Sequence, residues 1–162
     1  MADTELRAPA HLVSRKARWY WTVRALPGWL VVGGVEAACL AGTTSATVRG
    51  SVIAASVAAA LVHLLVMPQW RFRVHRWEVT ETAVYTRSGW FNQERRIAPI
   101  ARVQTVDTER GPLEQLFGLA NVTVTTASAK GPIKIHALDR RVADSTAAWL
   151  TERAQRAGGD GT

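Results

Sequence analysis

Two ionisable residues stand inside the apolar first half of the chain, Glu36 and His63. Groups at such positions are by default candidates for a proton relay, an ion pathway or a buried ligand site. Their spacing argues against joint chemistry. Glu36 lies near the outer end of one apolar run and His63 near the inner end of the next. At 1.5 Å of rise per residue their depths differ by roughly 10 Å, too far for a hydrogen bond. The expected roles are structural: Glu36 reaches toward Arg49 or is protonated, and His63 sits near the inner headgroups. A membrane enzyme or transporter using this pair is the least favoured reading.

Other reactive side chains are scattered. His11, His63, His75 and His136 lack metal-ligand spacing, and Cys39, the single cysteine, excludes an intrachain disulfide or a cysteine-based cluster. Cys39 reads as a small packing residue. Asp107 and Glu109, at i and i+2, are spaced as paired carboxylates, but Arg102 and Arg110 flank them and make them ion-pair partners. No phosphate-binding glycine loop, HExxH or GxSxG is present. Asn121-Val122-Thr123 is a glycosylation sequon on a strand expected to be buried and cytoplasmic, and is expected to go unused. No catalytic residue, cofactor or metal is therefore expected. The remaining candidates are basic. Arg71, Arg73 and Arg76 follow the second apolar run and could dock the domain onto anionic headgroups at ~1 kcal/mol each, or serve only to set topology.

The elements that would position these residues divide sharply. Residues 25–67 hold two formal charges, Glu36 and Arg49, although 48% of the 162 residues are hydrophobic, an ordinary fraction overall. The runs 25–42 and 51–67 each reach the lower length limit for a ~30 Å hydrocarbon core, and eight small or polar residues join them. They predict a transmembrane hairpin. Arg15, Lys16, Arg18 and Arg24 precede it and Arg71, Arg73 and Arg76 follow it, which places both termini in the cytoplasm. Trp19, Tyr20, Trp21, Trp29 and Trp70 fit an interfacial aromatic belt. Gly33, Ala37 and Ala41 share one helical face, and Ser51, Ala55 and Ala59 another, a spacing that allows close helix packing in lipid. Ala8-Pro9-Ala10 precedes the first apolar run, so no cleaved signal peptide is expected. The net charge of +7 is divided among segments, with no basic run that would mark a nucleic-acid arm.

From residue 69 the pattern becomes short alternating runs separated by Gly, Pro and Asn. Strands are expected at 70–80, with a break near His75–Arg76, and at 83–90, 93–100 and 102–110. Phe91-Asn92 would form the turn of a hairpin, and Pro99 would end a strand or lie at an edge. After Gly111-Pro112, Leu113, Leu116 and Phe117 face one side of a single helical turn that Gly118 stops. Ala120, Val122, Val124 and Thr126 then face inward, as do Ile133 and Ile135. A last helix begins at Asp139 with Val142, Thr146, Trp149, Leu150 and Arg153 on its inner stripe. Residues 1–24 are read as a cytoplasmic segment, 69–157 as the domain and 158–162 as a structureless tail.

The block RVQTVDTERGPLEQLFGLANVTVTTAS, Arg102 to Ser128, resembles the bacterial pleckstrin-homology-like domains of the YdbS-like membrane protein family, and VTETAVYTRSGWFNQERRIAPI is similar to the hairpin before it. The likeness covers roughly residues 70–150. It implies an α+β membrane protein: a two-helix hairpin followed by a bent antiparallel barrel or sheet with a C-terminal helix. It also implies assembly with itself or with related proteins, and no catalytic residues. The classical phosphoinositide pocket is not implied, because the basic loop motif that defines it has no counterpart here. The favoured function is a non-catalytic, membrane-anchored interaction module; a domain that senses lipid headgroups is the alternative.

Overall fold

The computed structural model describes residues 8–42, 45–89 and 92–159. Two long helices, α1 (Ala17–Leu40) and α2 (Ala46–Val74), lie antiparallel, and both are long and apolar enough to cross a membrane. Ser45 caps α2, its Oγ accepting from the Val48 N–H. Each helix extends beyond its apolar run at the domain end. Trp70–Val74, expected as the start of a strand, is the last turn of α2. Five residues of alternating Trp, Phe and Val suit either period, and the break anticipated at His75–Arg76 is the true end of the helix. Pro68 does not stop α2 either. Its ring leaves the Leu64 carbonyl without an intrahelical donor, and the Thr22 hydroxyl of α1, shared with the Arg18 carbonyl at 3.1 Å, reaches that carbonyl at 3.3 Å.

The domain has two antiparallel sheets. The first has the order β1 (His11–Leu12), β2 (Arg76–Val79), β3 (Ala83–Ser88), β4 (Glu94–Pro99); the second has the order β5 (Val103–Glu109), β6 (Leu119–Thr126), β7 (Ile133–Asp139). β1 precedes the helical hairpin and β2 follows it, yet they pair, His11 opposite Trp77 and Leu12 opposite Arg76. The hairpin is thus an insertion between neighbouring strands of one sheet. Of residues 1–24, expected as a separate segment, the described ones contribute a strand and part of the core.

Local chemistry sets the connections. β3 and β4 form the expected hairpin. Phe91 of its anticipated turn lies outside the described residues; Gly89, at φ +98, is the position where a Cβ would strike the Asn92 carbonyl. Pro99 ends the edge strand β4 and leads into a 3-10 turn, Ile100–Arg102. Helix α3 (Pro112–Phe117) stops at Gly118, φ +66. Leu116 does not share the inner side with Leu113 and Phe117; it is 78% exposed. Ala137 takes a positive φ of 55° at an irregularity of the β6–β7 ladder, and its N–H donates to the Asn121 side chain at 2.9 Å.

The main core lies between the sheets and α4 (Arg140–Gly159), with Val84, Ala98, Val122, Val124, Ile135 and Leu150 fully enclosed. The inner stripe of α4 is Ala143, Ala147, Leu150 and Ala154, and Val142 points outward. The spacing is the one expected; the phase is one residue later, which places small alanines against the sheet. The helix also runs through Gly158 and Gly159, expected as tail, and residues 160–162 lie outside the described residues. A second core joins α1 to the domain: Val13, Ala17, Tyr20 and Trp21 pack with Leu119 and Ala137, bordered by Phe72, Trp77, Leu113 and Phe117. Burying each large apolar side chain here stabilises the joint by about 1.5–3 kcal/mol.

Candidate membrane interface

The joint between hairpin and domain is built on Trp21. The Arg71 guanidinium lies over its indole at 4.7 Å, and the His75 ring lies against it at 5.1 Å. His75 Nδ1 donates to the Arg71 carbonyl at 2.9 Å, so the neutral ring carries its proton on that nitrogen. Burial, reinforced by the charge of Arg71, pushes the His75 imidazole down to about 4. His136 is lowered by the same causes. Beside this stack, Arg24 donates to the Tyr20 hydroxyl at 2.8 Å, and Tyr20 donates to Glu114 Oε1 at 2.7 Å. Burial pushes the Glu114 carboxyl up, but the hydrogen bonds from Tyr20, its own backbone and Asn121 outweigh it and hold the group below its ordinary value. This network ties α1 to α3 and β6.

The three expected surface arginines therefore separate. Arg71 is largely enclosed against Trp21, and its Nε has no hydrogen-bond partner. Arg76 is half-buried, donating to the Pro9 carbonyl at 3.5 Å. Arg73 is exposed. The aromatic belt divides as well: Trp19 and Trp70 are exposed, whereas Trp21 is in the joint and Trp29 is in the helix seam.

The seam uses none of the six small residues proposed for it. Gly33, Ala37, Ala41, Ser51, Ala55 and Ala59 are all exposed, and a Cβ built on Gly33 would meet nothing. Polar bridges at matched depth select another face. Trp29 Nε1 donates to His63 Nδ1 at 2.9 Å, and Ser56 Oγ donates to Glu36 Oε1. In a low-dielectric surround, pairing these groups outweighs the closer backbone approach a small-residue face offers. Glu36 and His63 stand two turns apart, each with its own partner across the seam. Glu36 pairs with Ser56, not with Arg49 as expected. Among the described residues no three His, Cys, Asp or Glu side chains are grouped as metal ligands.

Sequence reasoning missed one alignment. Arg76 of β2 stands opposite Arg87 of β3, and Arg87 stands opposite Arg95 of β4. Directly paired residues of an antiparallel sheet share a face, so the three form a row across the outer face, at the end of the sheet next to α2. Like charges placed opposite one another oppose pairing. The strand parity of each arginine was readable, but the registers that line them up were not.

Two apolar helices of membrane-spanning length, joined to paired antiparallel sheets and a C-terminal helix, define a membrane protein with a pleckstrin-homology-like domain. The chain belongs to the bacterial PH domain family, whose model matches residues 29–154. It is similar to the UPF0699 transmembrane protein YdbS of Bacillus subtilis (strain 168), at 41% identity over 68 residues. That alignment covers 42% of this chain and 43% of the relative, so the chain matches less than half of that protein's length. No solved structure matches the chain. The family match begins at Trp29, so β1 and the joint residues Tyr20 and Trp21 lie outside it.

Proposed function

We propose that the protein is a non-catalytic, membrane-anchored interaction module that assembles with a second copy or a related PH-like membrane protein, with both termini in the cytoplasm. The observation that carries the reading is the edge of the first sheet. β4 pairs with β3 and has no second strand neighbour among the described residues, and Ile97 on it is 55% exposed. An unpaired edge offers its backbone for strand addition by a partner. The edge is also held firmly: Arg96 donates to the Lys130 and Gly131 carbonyls at 2.9 and 2.6 Å. With the joint packed around Trp21, this edge sits at a fixed height beneath the bilayer, where a membrane-bound partner can meet it.

The test is crosslinking in native membranes from a Cys39→Ala, Ile97→Cys chain. An adduct of dimer size or larger is expected, and Ile97→Lys should disperse the matching band on blue-native gels. A protein that stays uncrosslinked and monomeric in both assays overturns the reading. A tag inserted between Gly42 and Ser45, reachable from outside intact cells, is expected from the topology.

A further inference from the structure

Above the arginine row lies an apolar groove of about 810 Å³ on the outer side of α2, lined in part by Ala59, Val62, Val66 and Trp70 and closed at its lower end by Gln93. The two features touch. Arg87 of the row donates to Gln93 Oε1 through both Nε and Nη2, at 3.2 and 2.6 Å. Gln93 immediately precedes β4, and its bonds from Arg87 set the groove floor beside the row. Arg73 is exposed on α2 two turns past Val66, and thus on the groove's side of the helix at its domain end. Among the described residues none of Arg76, Arg87 and Arg95 forms an ion pair with an acid. Glu78, on that face, is one rung farther from the membrane and accepts from the Ala10 N–H.

We propose that this surface binds one anionic phospholipid of the leaflet on the domain side, with an acyl chain along α2 and the phosphate on the arginine row. Charge complementarity selects this occupant. An apolar trough at membrane depth ends on three abreast cations that lack a counter-ion among the described residues, and a chain with an anionic head at the interface satisfies both ends. A second protein copy would fill the trough but leave the row uncompensated. The site rests on the membrane location of α2 and is independent of strand addition at β4.

The experiment is native mass spectrometry of the full-length protein in neutral detergent, titrated with phosphatidylglycerol or with phosphatidylcholine of identical chains. One phosphatidylglycerol should be retained about tenfold or more in preference to phosphatidylcholine. Arg95→Gln, at an exposed edge position that cannot unfold the sheet, should lower its retention about fivefold. The triple variant Arg76→Gln, Arg87→Gln, Arg95→Gln should lose the preference while melting no lower than the parent. Ala59→Trp, which fills the groove, should weaken retention of phosphatidylglycerol with the row intact. Equal retention of the two lipids, or an undiminished preference in the triple variant, overturns the proposal. Displacement by millimolar glycerol 1-phosphate as effective as by the lipid itself also overturns it, because the site would then read a soluble phosphate. Loss of crosslinking at Ile97 with lipid retention intact would sink only the assembly reading.

Discussion

Trp21 and Leu30 lie nine residues apart on the same helix, one 3% and the other 75% exposed. The upper part of α1 presents Leu30, Val31 and Val35 outward and touches α2 along a seam set by Trp29–His63 and Glu36–Ser56. Its lower part gives Ala17, Tyr20 and Trp21 to the domain core. One helix thus has two solvents, hydrocarbon above and folded protein below. In lipid there is no hydrophobic gain from covering Leu30, so the upper seam depends on a few polar pairs. Below the bilayer, apolar burial is favourable again, and the joint is packed as a core.

The largest test of this contrast removes the lower part of α1 altogether. A chain starting at Arg76 leaves Leu119 and Ala137 without Val13, Tyr20 and Trp21 and removes β1. It is expected to lack cooperative unfolding by circular dichroism; a sharp transition would show that the domain is independent of the hairpin. Next, Trp21→Ala should cost about 3–5 kcal/mol in the full-length protein, read as unfolding of the domain in detergent. Leu30→Ala should leave that transition unmoved, and equal effects would erase the distinction.

Acid should act on the joint. The unfolded His75 titrates near 6.5, while the folded group is lowered to about 4, so the unfolded chain binds more protons between those values. Stability from this residue is therefore present above pH ~6.5 and falls as pH drops toward 4, by up to about 3 kcal/mol. Denaturant midpoints at pH 7 and 4.5 measure it, and His75→Phe should flatten the dependence. The smallest effect is expected for Glu36→Gln. The amide oxygen still accepts from Ser56, and the change in helix association, measured by fluorescence transfer across the hairpin, should stay within about 0.5 kcal/mol.

Much of the domain was legible because its signals are local. Gly118 had to stop α3, Val122 and Val124 alternate cleanly, and the charge gap at 25–67 marked the hairpin. The arginines read as one basic group, Arg71, Arg73 and Arg76, were separated because exposure depends on tertiary neighbours: Arg71 meets Trp21, and Arg76 aligns with Arg87. The small-residue stripes failed for a related reason. Several faces of an Ala-rich helix satisfy that spacing, and only the partner helix chooses among them.

The amino-acid pattern by itself determined two apolar helices, the order of the strands that follow, and the breaks between them, since period, length and turn chemistry act within a few residues. Only the tertiary structure decided that His11–Leu12 pairs across the entire hairpin with Arg76–Trp77, that Trp21 belongs to the domain, and that three arginines stand abreast. Those outcomes depend on register and on contacts between separate segments of the chain, where no local periodicity can distinguish one pairing from another.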